Sequence, residues 1–480
     1  MRRRASLTGG LLLAAAIVLG GARAPEPGYN VTLSPRADGN WTAIYRFSHA
    51  APAWLLPRTH PDVAGRSWRA QSWSVATRGV RLERRGRYDV LIGGGRPLKT
   101  VEVVVRPFSS DLRADYTPAL RFSDGAIAHY LGHYEAIALD RADRADTLGP
   151  DLDAPAGLAD VSGRVLVRNP TGTVLLDGRV RDREATATIG GGAPAVGYAY
   201  LGDVAPLQSP ALAAVIDPGL PPWLRAELTS FTPRLLALYA EQLGPPRDGR
   251  PSVFAAWGGG ERTGSSLGGS VLPGLIVMQL AGRELLAHSP VGERNARWFL
   301  AHEAAHFWLG QTIRYGRRDQ AWITEGGANL LAIRGVSRIA PTSNIGPELI
   351  AGYVDRCVAD MADGRSLRAA ELEGASDGPH YTCGALLWLA AEGAVRRRRP
   401  EADAFAFARD LLRAERADGQ VTEDDWLRAF GAVANDAELT AQVRAFITQG
   451  HRDPRRFLQA LFAATGVVEP LSKPDVAETS

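Results

Sequence analysis

Lysine is almost missing from this chain: only Lys99 and Lys473 stand among its 55 basic residues. The others are arginines spread along the whole length, which reads as codon bias and not as a phosphate-gripping design. An excess of charge is lacking too. A formal net charge of +3 over 480 residues excludes a basic nucleic-acid footprint and an acidic solvating tail. The densest run, Arg396-Arg397-Arg398-Arg399, suits the negative end of a helix dipole. There is no internal repeat and no low-complexity linker. With 45% apolar and 22% charged residues, the composition excludes a disordered, collagenous or coiled-coil chain. The length is a prior of roughly three domains.

Long apolar runs are also scarce. One occurs at the start: Met1 to Arg4 is positive, 7–22 is apolar, and Gly20, Gly21, Ala22 and Ala24 are small. This is the pattern of a secretory signal peptide, assigned to residues 1–24; an uncleaved N-terminal anchor is the alternative. Its removal takes Arg2, Arg3, Arg4 and Arg23 and changes the formal charge from +3 to −1. No later run reaches about 18 apolar residues, so no stable membrane span is expected after cleavage. The expected location is periplasmic or secreted. Such compartments preserve disulfides, and the two cysteines, Cys357 and Cys383, fall in expected helices and form a plausible pair.

From residue 25 to 215 the signals are those of a β-rich, sandwich-like domain. Short Val-, Ile-, Tyr- and Thr-rich runs at 41–47, 80–92, 100–105, 126–137, 165–167, 174–176 and 195–201 are cut by Gly and Pro. Asp217-Pro218-Gly219 then punctuates the chain. Beyond it 224–243 carries apolar residues at helical spacing, 252–256 and 275–280 read as strands, and nearly everything after Arg294 reads as helix. Arg399-Pro400 separates a second unit, 216–398, from a C-terminal helical segment, 399–480. The fold class is α+β.

His302-Glu303-Ala304-Ala305-His306 has the pattern H-E-x-x-H on an expected helix. Residues i and i+4 share a helix face, so both imidazoles can bind one zinc ion. Glu303 lies beside them, suited to act as a general base on water acidified by the metal. Glu325, nineteen positions after His306, is a candidate third ligand. Gly310 is the expected stop of the first helix, and 321–334, closed by Gly335, is the expected second helix.

The string from His302 to Gly310, with Trp308, followed by Trp322-Ile323-Thr324-Glu325-Gly326-Gly327-Ala328, resembles the aminopeptidase N family of gluzincin zinc peptidases. The resemblance spans roughly residues 215–395. It implies a thermolysin-like catalytic domain, one Zn²⁺ per chain held by His302, His306 and Glu325, Glu303 as base, and a peptide or protein substrate. It also implies that Tyr381, 56 residues after Glu325, donates to the developing oxyanion. Gly378-Pro379 is a helix start signal that puts Tyr381 in a first turn. His380 is a weaker candidate donor.

One departure is informative. The family's strand before the catalytic helix carries a glutamate that holds the substrate's amino group. The corresponding stretch here is Gly268-Gly269-Ser270-Val271-Leu272, with Val271 where the acid belongs. The strand is expected to pair with substrate, so Gly268, Gly269, Ser270 and Val271 are tentative binding residues. The expectation is an exported zinc metallopeptidase, aminopeptidase-like but without that acid. An endopeptidase or other amide hydrolase is the first alternative, and a non-catalytic zinc-stabilised binding protein the second. His129 and His133, read on one strand, are too far apart to share an ion and are expected mostly to pack.

Overall fold

The computed structural model describes residues 26–159, 161–192, 197–203, 205–372 and 378–468. The expected signal peptide lies outside them. Among the described residues no helix is long and apolar enough to cross a membrane.

Alternation of apolar and polar residues builds the first half. Tyr29, Val31 and Leu33 of strand Tyr29–Pro35, and Trp41, Ala43, Tyr45 and Phe47 of strand Trp41–Ala51, all turn to one buried face. These strands belong to a mixed nine-stranded sheet, and a four-stranded sheet packs with it. The run expected at 80–92 is a hairpin of Val80–Arg85 and Tyr88–Gly93, turned at Gly86 with φ +54°. The runs at 165–167 and 174–176 are one strand, Gly163–Leu176, with an irregularity between Arg168 and Thr173. Its partner Arg179–Ile189 escaped the sequence reading because its first half is charged; only Ala185, Ala187 and Ile189 are buried.

His129 and His133 do not share a strand. The chain leaves strand Ile127–Tyr130 into a 3₁₀ turn, Leu131–Tyr134. His129 meets the Tyr134 hydroxyl at 3.2 Å, and His133 meets Asp115 at 3.0 Å. Burial lowers the pKa of His129 to about 3, and that of His133 to about 4 although Asp115 opposes the shift. Both are packing residues of the β-rich half.

Asp217 joins the halves. Its buried carboxylate accepts from the backbone N–H of Ser123 in the β-rich half, of Gly219 beside it, and of Trp257 in the next sheet. That five-stranded sheet runs in the order Leu207–Gln208, Ala213–Ile216, Ser252–Trp257, Leu275–Ala281, Ser266–Leu272. Its outer strand, Ser266–Leu272, is antiparallel to its neighbour, and among the described residues no strand pairs with its other edge.

Helices pack over this sheet in a single apolar core that reaches from Leu212 to Phe462. The C-terminal helices are part of it: the rings of Phe405, Phe407 and Trp426 contact those of Tyr239, Trp388 and Trp322. Three helices, Pro290–Ala305, Trp322–Ile339 and Pro379–Arg396, bear His302, Glu325 and Tyr381 respectively. The first ends earlier than Gly310. Its last turn tightens through His306 N–H to Glu303 O and Phe307 N–H to Ala304 O. The second does not stop at Gly335. That glycine lies inside the helix against Tyr239, whose ring a Cβ would meet at 2.8 Å.

Cys357, on helix Gly346–Asp360, is bonded to Cys383 near the start of helix Pro379–Arg396, with Cα atoms 5.0 Å apart. The link ties down the helix start that carries Tyr381. Assay under denaturing, non-reducing conditions should find no free thiol, and two after reduction. Replacing both cysteines by alanine should lower the unfolding free energy by about 3 kcal/mol in denaturant titration. Two thiols without reductant would show that the bond does not form.

Candidate metal centre and cleft

The helix Pro290–Ala305 starts with Ser289, whose hydroxyl accepts from Gly292 N–H, and ends at His306. His302 and His306 therefore lie one turn apart, both almost fully buried. Trp322–Ile339 brings Glu325 against them. His302 Nε2 and His306 Nε2 are 3.1 Å apart, and Glu325 Oε2 is 3.4 and 3.3 Å from them. A tetrahedral zinc ion with bonds of about 2.0–2.1 Å needs neighbouring donors about 3.3 Å apart. The three donor atoms stand as edges of such a tetrahedron.

Proton placement agrees. His302 Nδ1 faces Asn329 Oδ1 at 2.8 Å, and Asn329 Nδ2 donates to the Tyr381 carbonyl at 3.1 Å, which fixes the amide's orientation. His306 Nδ1 faces the Leu309 carbonyl at 2.8 Å. Both imidazoles thus carry a proton on Nδ1. Their Nε2 lone pairs are left to point at one place, which suits a cation. Electrostatics shows that this spot favours a positive charge, which without a metal would be a second proton on His306. Burial works against charging His306, but Glu325, with a smaller contribution from Glu303, outweighs it and raises its pKa to about 9. Burial also opposes ionising Glu325, yet His306 and His302 hold its carboxyl well below the usual range. The residues fit zinc.

Glycine places the rest. A Cβ on Gly326 would sit 2.2 Å from the Gly384 backbone, so helices Trp322–Ile339 and Pro379–Arg396 touch main chain to main chain. That contact puts Tyr381, in the first turn of its helix, beside the centre; its ring is 5.8 Å from that of His302. A Cβ on Gly269 would come within 3.0 Å of the Glu303 carboxylate, so the outer strand passes directly over that side chain. A cleft of about 460 Å³ results, bordered by His302, Glu303, His306, Glu325 and Tyr381 and by Gly269, Ser270 and Val271 of the strand. Gly268 faces a neighbouring cavity with Asp111 and Asp115. His380, its pKa lowered by burial, lies against Tyr381 with the two rings tilted by 42° and does not border the cleft.

Some contributors were not legible in the sequence. Gln311 pins the outer hairpin, donating to the Leu272 carbonyl at 2.7 Å and accepting from Gly274 N–H at 2.9 Å. Tyr116 arrives from the β-rich half, its hydroxyl 3.5 Å from the Val271 carbonyl. Arg314 borders the cleft, whose lining carboxylates among the described residues are Glu303 and Glu325. Asn329 did carry a signal: it stands four residues after Glu325, on the same helix face. Asn329→Leu, which removes the partner of His302 Nδ1, should weaken zinc binding about 10–100-fold in chelator competition. Unchanged affinity would mean that the orientation of His302 is set elsewhere.

No protein-family model matches the sequence, and no curated protein does. Solved structures do match. An aminopeptidase N family protein from Idiomarina loihiensis superposes with a TM-score of 0.59 at 11% identity, over 88% of this chain and 76% of that one. The M1 zinc metallopeptidase from Deinococcus radiodurans gives 0.46 at 18% identity, over 94% and 95% of the two chains. Leukotriene A4 hydrolase from Saccharomyces cerevisiae gives 0.48 at 14%, over 89% and 68%. The first of these likenesses establishes the architecture: this chain has the α+β fold of an aminopeptidase N family protein.

Proposed function

We propose that this protein is an exported zinc metallopeptidase that hydrolyses peptide bonds. One observation carries the reading: two imidazoles and a carboxylate converge with tetrahedral spacing while a second carboxylate, Glu303, borders the same cleft. In this reading residues 1–24 direct export, 25–215 form the β-rich unit, 216–398 the catalytic unit and 399–480 its helical flank. The superposition on an aminopeptidase N family protein supports the same chemistry.

His302, His306 and Glu325 would hold the ion. When bound, zinc supplies a Lewis acid that polarises the substrate carbonyl and lowers the pKa of water. Glu303 takes the proton from the attacking water and returns it to the leaving nitrogen as the C–N bond breaks. Tyr381 donates its phenolic proton in a hydrogen bond to the carbonyl oxygen as charge develops there. The outer strand, passing over Glu303, pairs with the extended substrate main chain along its open edge.

Among the described residues, the lining has Val271 and no acid where a substrate ammonium would be met, and it contains Arg314. This favours a second reading, an endopeptidase, within the same chemistry.

Chelation should abolish hydrolysis, and added zinc should restore it. Glu303→Gln should keep zinc and lose about 10²–10⁴-fold in kcat. Tyr381→Phe should lose about 10²–10³-fold in kcat with a smaller change in KM. Equal rates for Glu303→Gln and wild type would assign the hydrolysis to a contaminant. Comparison of free and N-acetylated peptides separates the two readings: an endopeptidase cleaves both at similar rates, an aminopeptidase only the free ones.

A further inference from the structure

One end of the cleft carries a positive charge that nothing inside the protein answers. Arg314 borders this end together with Tyr116, Val271, Leu272, Gln311 and Tyr315. Its main chain is fixed. The short strand Arg314–Tyr315 pairs in parallel with Gln420–Val421, and Arg314 N–H donates to the Gly419 carbonyl at 3.1 Å. The residue is exposed, and among the described residues no carboxylate pairs with its guanidinium.

The acids that could answer it are engaged elsewhere. Asp115, Glu135 and Asp153 surround Arg58 at 3.5, 3.8 and 3.3 Å, and Asp115 also meets His133 at 3.0 Å. Glu303 and Glu325 together carry two negative charges, which a bound divalent cation would cancel. One positive charge is then left over in the cleft. Tyr116 reports where it acts. Burial raises the pKa of this phenol, while Arg58 and, more weakly, Arg314 oppose the rise. The charge of Arg314 is therefore felt at the hydroxyl that lies 3.5 Å from the Val271 carbonyl.

Strand direction says which part of a substrate arrives there. The outer strand runs from Ser266 to Leu272, and it passes Glu303 at Gly269. An extended peptide adding to its free edge in the antiparallel sense, the slightly more stable pairing, runs the opposite way. Residues before the cleaved bond then lie beside Val271 and Leu272, the end that Arg314 borders. An ammonium arriving there meets a like charge and no acid. A carboxylate meets a planar guanidinium that can bind both of its oxygens.

We infer that Arg314 binds an acidic substrate side chain on the amino-terminal side of the cleaved bond and so selects peptides with Asp or Glu at one of the two positions before it. The inference rests on the proposed peptidase activity. The test is a set of peptides, with free and with acetylated amino ends, varied at those two positions, cleaved by the zinc-loaded protein and read by mass spectrometry. Glu should be favoured over Gln at one of them by at least about tenfold in kcat/KM, the yield of one charge-assisted hydrogen bond. Added salt should shrink that preference. Arg314→Gln should bring the Glu-over-Gln ratio to about one. Arg314→Lys should keep part of it, and Arg314→Glu should turn the preference toward Lys. Each ratio is taken within one variant, so it does not depend on overall activity, and zinc content checks the fold.

A wild-type ratio near one, an acid preference confined to residues after the bond, or a preference that survives in Arg314→Gln and is not reversed in Arg314→Glu overturns the inference and leaves the peptidase reading standing. Absence of any cleavage by zinc-loaded protein overturns both.

Discussion

The metal centre depends on a constraint outside the metal ligands. Two imidazoles one helical turn apart point their Nε2 atoms at the same place only if their Nδ1 protons are engaged elsewhere. Asn329 Oδ1 engages one, and the Leu309 carbonyl the other. Without those acceptors each ring is free to flip or to carry its proton on Nε2, and the site loses its lone pairs. The Asn329 amide also reaches the Tyr381 carbonyl, so a single side chain couples metal-ligand tautomer to the place where the third helix begins. The proposed metal ligands and the proposed phenol are in this sense one construction.

Close backbone approach is the second requirement. Two helices and one strand must crowd around a centre a few ångströms across, and side chains would hold them apart. Gly326 and Gly384 allow the helix–helix contact, and Gly269 allows the strand to lie against Glu303. The bond between Cys357 and Cys383, together with the Gln311 contacts to the outer hairpin, then fixes these segments laterally. The C-terminal helices take part by closing the core behind Trp322 and Trp388.

Around the centre the surroundings are unequal. One space is polar, carries Arg314 and receives Tyr116 from the β-rich half where an acid would be expected. The other is walled by Leu267, Trp298, Phe299 and Tyr353. They meet at Gly269, His302, Glu303 and Tyr381.

Local pattern alone paired His302 with His306 as candidate ligands, because i, i+4 spacing on a helix is enforced by backbone hydrogen bonds among near neighbours. It determined the strand-rich first half, whose alternation is equally local. Element ends were less legible. Gly335 looked like a stop and is a packing glycine, and the charged strand Arg179–Ile189 hid behind its exposed face. Only the tertiary structure decided that His129 and His133 leave a common strand for separate partners, that Gln311 and Tyr116 meet the outer strand, and that Glu325 reaches the imidazoles at donor distance. Each of these contacts joins residues remote in sequence or set by side-chain packing, and such contacts are fixed by how helices and sheets fit together rather than by any short-range preference of the chain.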